Sequence, residues 1–285
     1  MTTPDNPMSN VLWLGGGCGA GKTTLATRLA HRFDLRLYRV DLHDYPQLER
    51  MNPVQHPENH RLGRLDYVAR HVTPSAEELA RDFLACSTER FQLVVDDLIR
   101  LTKDVTAIVE GPGLLPELIA PLVATRGHAL FLIPDGDFTD ANLRARPQAR
   151  PISGSIVEQG HRKRTARDRI LTRRIADTAT AHGLTTFAVD GSLTLDQTGE
   201  VLADHFAAAI AAGAPATGAT RTGIREDENR EVTTAWRHHA AFLGDRAPEV
   251  EPTLTYACEC PTSGCEATLD LTAAEYDAAQ RRRAH

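Results

Sequence analysis

The sequence lacks the features that mark membrane, secreted and nucleic-acid-binding proteins. No apolar run among its 285 residues approaches the roughly 20 residues that a membrane-spanning helix needs. Residues 1–10 are polar and contain proline, without the basic start and apolar segment of a signal peptide. The net charge of −6 argues against a general affinity for nucleic-acid phosphates. We therefore expect a cytoplasmic protein with neither a membrane nor a nucleic acid as partner.

Cysteine is scarce, and its distribution excludes a disulfide scaffold. The five cysteines are odd in number and unevenly spread. Three of them, Cys258, Cys260 and Cys265, form a C-x-C-x₄-C pattern that could place three thiolates around one Zn²⁺, with a histidine as fourth ligand. The candidate histidines are His238, His239 and His285. The paired C-x₂-C signature is absent, so free thiols or one labile bridge remain alternatives.

The strongest positive signal lies close to the N terminus. Residues 16–23, with the sequence GGCGAGKT, fit the pattern G-x-x-x-x-G-K-[ST] of a phosphate-binding loop. An apolar run at residues 11–14 precedes the pattern, and residues 24–30 have helical spacing. This order of strand, glycine-rich loop and helix predicts a site for a nucleoside triphosphate.

Each residue type in the pattern has a chemical reason to be there. Glycines let backbone N–H groups converge on an anion, and the helix N-terminus adds partial positive charge. Lys22 would reach the β- and γ-phosphates, while the Thr23 hydroxyl would bind Mg²⁺. The predicted nucleotide contacts are Gly16, Gly17, Gly19, Ala20, Gly21, Lys22, Thr23 and Thr24.

Five short apolar runs alternate with helical segments along the chain. They are residues 11–14, 35–41, 106–109, 128–133 and 185–189. This alternation predicts an α/β fold with a five-stranded parallel sheet flanked by helices. Ligands of such sheets lie beyond the C-terminal ends of the strands, where Asp41, Glu110 and Asp190 fall. We expect this domain to span residues 9–212, followed by a linker at 213–222 and a small cysteine-containing module at 223–285.

With these motifs, residues 10–210 resemble the small P-loop kinases, which include nucleoside monophosphate, shikimate and gluconate kinases and antibiotic phosphotransferases. The chain resembles more closely a set of poorly characterised actinobacterial ATP-binding proteins. The shared features are the start WLGG…GAGKTT, the acid closing the second strand, VDD before the third strand, EG at its end, and a late VDGS. The segment CEC…C also resembles a tail module of assorted actinobacterial proteins.

The resemblance implies an ATP- and Mg²⁺-dependent phosphotransferase with a small-molecule hydroxyl or phosphate acceptor. It implies that Asp41 orients or deprotonates the acceptor and that Glu110 holds Mg²⁺ through water. Arg164 and Arg167, three apart on a basic helix, would close over the nucleotide as a lid. Asp190 would lie in the loop beside the adenine.

Structural alternatives stand beside each of these roles. Asp41 could cap a turn, and either arginine could simply face solvent. Two other functions also fit: a nucleotide-binding switch or ATPase that signals to a protein partner through the cysteine module, and a toxin-like kinase of sugar nucleotides. The acceptor is not identified by the sequence, and residues 42–72 and 140–165 are the segments expected to form its pocket.

Overall fold

Five parallel strands form the central sheet of the computed structural model, which describes residues 7–102, 104–136, 138–139, 155–244, 248 and 250–283. The strands are β1 (Val11–Gly16), β2 (Arg36–Arg39), β3 (Ala107–Glu110), β4 (Ala129–Pro134) and β5 (Thr185–Val189). They lie in the order β2-β3-β1-β4-β5, and every pair is parallel. The predicted five-stranded parallel sheet is therefore confirmed.

Helices cover both faces of the sheet. They are α1 (Lys22–Arg32), α2 (Asp44–Leu48), α3 (Pro57–Gly63), α4 (Tyr67–His71), α5 (Ala76–Leu101), α6 (Pro116–Ile119), α7 (Ser155–Ala181), α8 (Leu195–Ala212), α9 (Gly218–Leu243) and α10 (Ala273–Arg283). The short helices α2 to α4 make up most of residues 42–72, one of the two segments expected to form the acceptor pocket. Residues 140–154 of the expected acceptor region lie outside the described residues.

The side chains of β1 show why helices pack on both faces of the sheet. Side chains alternate along a strand, so Leu12 and Leu14 point to one face and Val11 and Trp13 to the other. Leu12 and Leu14 pack in the apolar cluster that contains α1 and α8. Val11 and Trp13 pack in a second cluster with α5 and α7. All four side chains are buried, as expected for a central parallel strand covered by helices on both sides.

The capping of α5 shows how local sequence fixes an element boundary. The Ser75 hydroxyl accepts a hydrogen bond from the Glu78 N–H at 3.1 Å, and the Glu78 carboxylate accepts one from the Ser75 N–H at 2.7 Å. This capping box satisfies two N–H groups that the helix itself cannot pair. The spacing of serine and glutamate at residues 75–78 therefore accounts for the start of α5.

Helix α9 packs on the sheet domain through buried charges. The Arg225 guanidinium donates to the carbonyl oxygens of Ala30 and Leu35 at 2.9 and 3.0 Å, and to the Glu228 carboxylate at 2.5 Å. Glu228 in turn accepts from the Leu37 N–H at 2.7 Å. These bonds complete the backbone pairing where α1 ends and β2 begins. The helix therefore stabilises the same strand–helix unit that carries the glycine-rich loop.

One turn earlier, α9 contributes a second buried ion pair, which we call the Arg221–Asp34 junction. The Arg221 Nε donates to an Asp34 carboxylate oxygen at 2.9 Å. Asp34 follows α1 with a φ of 53°, a left-handed conformation in which glycine is more usual. The Asp34 carboxylate also accepts from the Ser263 hydroxyl and from the Gly264 N–H. The end of α1 is thus joined directly to the C-terminal segment.

The expected linker is partly structured. Residues 218–222 form the start of α9, and the Ala216 N–H donates to the Asp34 carbonyl oxygen at 2.8 Å. Ala216 and Arg221 are both buried. Composition alone suggested a flexible connection here, but hydrogen bonds to the sheet domain hold this segment in place. The boundary between two domains stays a prediction.

The C-terminal segment adds a small second sheet. Strands β6 (Leu254–Ala257) and β7 (Thr268–Leu271) pair antiparallel, and α10 follows after a Thr272–Glu275 cap. The rings of Tyr256 and Tyr276 stack with centroids 4.4 Å apart. None of the described helices combines the length and apolar character needed to cross a bilayer.

Replacing Arg225 by methionine should strongly destabilise the protein. The substitution leaves Glu228 buried without this cation and removes the donor to two carbonyl groups, a loss of about 3 to 5 kcal/mol in the free energy of unfolding. Urea denaturation measures the change. Arg230→Met is the matched control, because Arg230 pairs with Asp227 on the exposed face of α9. Similar losses for the two variants would contradict the assigned importance of Arg225.

Unfolding should also depend on pH through His31. Burial, and repulsion from Arg225, Arg221 and Arg39, lower the pKa of His31 to about 3. In the unfolded chain the imidazole has a pKa of about 6.5, so as the pH falls the unfolded state takes up a proton before the folded state does. The free energy of unfolding should therefore decrease between about pH 6.5 and 3, by up to about 1.4 kcal/mol per pH unit from this group.

His31→Gln tests this linkage, because it removes the titrating group. Urea denaturation at several pH values should show a shallower decrease for the variant than for the wild type. Equal slopes would show that His31 does not couple protonation to folding.

Candidate functional site

The glycine-rich loop between β1 and α1 requires glycine for two reasons. Gly16 has a φ of 122°, and a β-carbon there would collide with the carbonyl group of Leu132 on β4. A β-carbon on Gly17 would lie 2.5 Å from the Thr172 hydroxyl oxygen of α7. The loop is therefore enclosed by a strand and a helix, and its backbone turns where side chains do not fit.

The two polar side chains at the start of α1 face the loop and the sheet. The Lys22 ammonium group is buried and donates to the Gly17 carbonyl oxygen at 2.6 Å. The Thr23 hydroxyl donates to the Glu110 carboxylate at 3.0 Å, although the two residues are 87 positions apart. The predicted pairing of Thr23 and Glu110 at one place is therefore observed.

A cavity of 130 Å³ brings the predicted residues together. It is lined by residues 18–24, Asp41, Glu110 and Pro112. Strand register explains the arrangement, because Glu110 pairs with Leu14 of β1 and with Arg39 of β2, two residues before Asp41. Three distant parts of the chain thus place a lysine, a hydroxyl and two carboxylates around one space.

The charges in this cavity influence one another. Burial raises the pKa of Glu110, Lys22 lowers it, and Asp41 raises it further. Burial and the nearby Asp44 raise the pKa of Asp41, while Lys22 and Arg90 lower it. The cavity therefore contains one ammonium group and two carboxylates whose charges act on one another.

The predicted lid arginines lie on one helix but outside the small cavity. Arg167 donates to the Asp168 carboxylate at 2.9 and 2.6 Å, and its guanidinium lies 5.4 Å from the Phe83 ring centroid. Arg164 lines a separate cavity of 720 Å³ together with Tyr67 and His71. Both arginines stand on α7, the helix whose Thr172 touches the glycine-rich loop.

Asp190 follows β5 and lies in an exposed turn. Its carboxylate accepts a hydrogen bond from the Ser192 N–H at 2.9 Å, and hydrogen bonds from the Ser192 side chain and then its backbone lower the pKa of Asp190. Gly191 has a φ of 85° and approaches the Phe138 ring. Asp190 is not among the residues that line the 130 Å³ cavity. The bond to Ser192 gives its side chain a turn-stabilising role, whereas contact with a nucleotide base stays a prediction.

The three C-terminal cysteines form a compact thiol cluster. The sulfur atoms of Cys258, Cys260 and Cys265 all lie within 4.8 Å of one another. This spacing could hold a metal ion, because Zn–S bonds of about 2.3 Å in a tetrahedron separate the sulfurs by about 3.8 Å. Hydrogen bonds from Thr262 and then from the other two cysteines hold the pKa of Cys260 at about 7. A low thiol pKa favours the thiolate that a metal requires.

The described part of this cluster contains no histidine. His238 stacks on Tyr45 with centroids 5.6 Å apart, and His239 shares a hydrogen bond with the Tyr45 hydroxyl at 3.1 Å. Both histidines therefore belong to the contact between α9 and α2, which corrects their proposed role as a fourth ligand. His285 lies outside the described residues.

The thiol cluster is held by a residue that sequence patterns did not reveal. Arg221 donates to the carbonyl oxygens of all three cysteines, at 3.2 Å for Cys258 and 2.9 Å for Cys265, with a short contact to Cys260. Its partner Asp34 was also missed. The only sequence signal was an aspartate after the helical pattern of α1, at a position typical of a left-handed cap.

Comparisons with known proteins do not assign the chain to a family. No protein-family model matches the chain, and no curated protein matches it. A crystal structure of an uncharacterized protein from Eubacterium ventriosum is similar at 12% identity, covering 70% of this chain and 98% of that one, with a TM-score of 0.35. A similarity this low carries no information about function.

Metal binding by the thiol cluster can be tested with Co²⁺. The metal-free protein should bind one equivalent and develop thiolate-to-cobalt charge-transfer absorption, since three sulfur ligands are within reach. Cys265→Ser should weaken the binding at least about tenfold. Cys86→Ser is the control, because Cys86 lies on α5 outside the cluster. Absorption that survives in Cys265→Ser would show that the cluster is not the metal site.

Proposed function

We propose that this protein is an ATP- and Mg²⁺-dependent phosphotransferase that acts on a hydroxyl or phosphate group of a small molecule. The observation that carries the proposal is the convergence of Lys22, Thr23, Asp41 and Glu110 on one cavity beside the glycine-rich loop. The order β2-β3-β1-β4-β5, with this loop after the central strand, agrees with the proposal. On this basis the chain is a member of the small P-loop kinases, and of the actinobacterial proteins that it resembles.

The loop and α1 would bind the triphosphate. The backbone N–H groups of residues 18–21 and the N-terminus of α1 would supply positive potential, and the buried Lys22 adds a full charge next to them. Lys22 already bridges the loop through the Gly17 carbonyl, so it stands where a bound phosphate would replace or share that partner. Thr24, exposed at the start of the helix, is available to the phosphate nearest the nucleoside.

Thr23 and Glu110 fit a magnesium site. Mg²⁺ prefers hard oxygen ligands, and the Thr23 hydroxyl and Glu110 carboxylate lie in hydrogen-bond contact. Burial raises the pKa of Glu110, Lys22 lowers it and Asp41 raises it, and a bound cation would favour the charged carboxylate. When bound, Mg²⁺ neutralises charge on the phosphate oxygens of the nucleotide.

Asp41 would orient the acceptor. It lies across the cavity from Lys22, and a carboxylate with a raised pKa accepts a proton more readily than an ordinary one. Arg164 and Arg167 would approach the nucleotide by a movement of α7, where guanidinium groups offset charge on the transferred phosphoryl group. Asp190 would lie beside the base.

The thiol cluster would bind Zn²⁺ and support a protein partner. Three thiolates leave one coordination position for a further ligand. A second function, a nucleotide-dependent switch or ATPase, is favoured by the Arg221–Asp34 junction, because it joins the cluster to the end of α1. A toxin-like kinase of sugar nucleotides would use the same phosphate loop, and cell growth arrest on expression would favour it.

Lys22→Ala tests the central proposal. Wild-type protein with ATP and Mg²⁺ should form ADP faster when a pooled metabolite extract is added, and Lys22→Ala should lower this rate by about 100-fold or more. The phosphorylated product in the extract identifies the acceptor. Arg230→Ala removes an exposed cation on α9 and should retain the wild-type rate.

The two proposed functions give different results in this assay. ATP binding without stimulation by the extract would contradict the kinase and favour the switch, whose partner should then bind only in the presence of ATP. Absence of ATP binding by the wild type would contradict both.

A further inference from the structure

A second cavity adjoins the phosphate loop and is closed by the C-terminal strands. It has a volume of 690 Å³ and lies between α1 and the β6–β7 hairpin. Its walls include Thr23 and Thr24, which also line the small cavity of the loop. The two cavities therefore meet at the start of α1. The larger one is of a size typical of small-molecule sites, about 300 to 1,000 Å³.

All the residues that line this cavity, in the part of the chain that the structure describes, are polar or charged. Half of the lining residues are threonines, on α1 and on both strands of the hairpin: Thr23, Thr24, Thr27, Thr255 and Thr268. A hydroxyl group can both donate and accept a hydrogen bond. Typical ligand pockets are lined mainly by apolar and aromatic side chains. An apolar ligand would therefore contact no apolar or aromatic residue among those that line this cavity.

The charged groups in the cavity balance one another. Arg28 pairs with Asp196 at 2.5 Å, and the remaining charged lining residues are Arg39 and Glu266. Two cations and two carboxylates leave no excess charge to select an anion or a cation. Burial lowers the pKa of His31, also in the wall, to about 3, so its imidazole is neutral near pH 7.

We propose that this cavity binds a neutral polyhydroxylated small molecule, such as a sugar or a cyclitol, between α1 and the C-terminal hairpin. Each hydroxyl group of such a ligand both donates and accepts a hydrogen bond. The Thr27 and Thr255 hydroxyls already donate to the Thr23 carbonyl oxygen and to Asp270, so they offer acceptor oxygens to a ligand. The carboxylates of the wall add acceptors, and the guanidinium groups add donors. A polar wall loses its hydrogen bonds to water when it is covered, and only a ligand with many polar groups replaces them.

The hairpin that closes the cavity belongs to the thiol-cluster segment. The Cys258 N–H donates to the Ala267 carbonyl oxygen at 2.9 Å, directly beside Thr268. Glu266 follows Cys265 in the chain. The ligand would thus touch both the helix of the phosphate loop and the segment that carries the cysteines. This site shares Thr23 and Thr24 with the small cavity, but binding of a polyol there does not require phosphoryl transfer.

Saturation-transfer NMR and calorimetric titration with D-glucose, D-ribose and myo-inositol test the proposal. At least one of these probes should bind the wild-type protein. The double variant Thr27→Val/Thr268→Val removes one hydroxyl from each side of the cavity and keeps the shape of the side chains, so it should weaken binding about tenfold or more. Thr180→Val, on the exposed part of α7, should bind like the wild type.

Glu266→Leu is a second variant for the case in which the double variant does not fold, and it should weaken the same probe. Titration with ATP provides a separate readout, because the proposed nucleotide site retains Lys22 and Thr23 in all these variants. Failure of all three probes to bind the wild type, or equal affinity in the wild type and both cavity variants, would overturn the proposal. Loss of ATP binding alone would contradict the phosphotransferase and leave the polyol site standing.

Discussion

The Arg221–Asp34 junction is the interaction on which the arrangement of the C-terminal segment depends. A single guanidinium group binds the carboxylate at the end of α1 and the carbonyl oxygens of three cysteines. A buried arginine and aspartate are costly to desolvate, and they are tolerated here because each finds several polar partners. The junction therefore joins the thiol cluster to the end of α1, and Asn229, on the same helix as Arg221, adds bonds to the Ala257 backbone of β6.

The sheet and the glycine-rich loop could be predicted from the sequence because their signals are local. Short apolar runs between helical segments define a covered parallel sheet, and the spacing of glycines, Lys22 and Thr23 has a direct physical meaning. Asp41 and Glu110 were predicted to lie together because parallel strands end at one edge, and the cavity shows them there. The assignment of ATP and Mg²⁺ to this place stays a prediction.

Other parts of the structure depend on contacts that no local pattern contains. Residues 213–222 have the composition of a linker, yet bonds to Asp34 and Thr106 hold this segment on the sheet domain. Arg164 and Arg167 share a helix as predicted, but their distance from the phosphate loop follows from the packing of α7 on α5. The histidines His238 and His239 are near the cysteines in sequence, and the stacking of His238 on Tyr45 draws that part of α9 toward α2.

The contact between Thr172 and the glycine-rich loop places α7 directly against that loop. The helix has 27 residues and a length of about 40 Å. Leu171 and Ile175 anchor one part of it in the core, while Arg164 and Arg167 stand on the other. Because Leu171 and Ile175 hold the helix in the core beside Thr172, the segment that contacts the glycine-rich loop is fixed in place. Arg164 stands eight residues earlier on the same helix, about 12 Å along its axis, so its position relative to the loop is set by the straightness of α7.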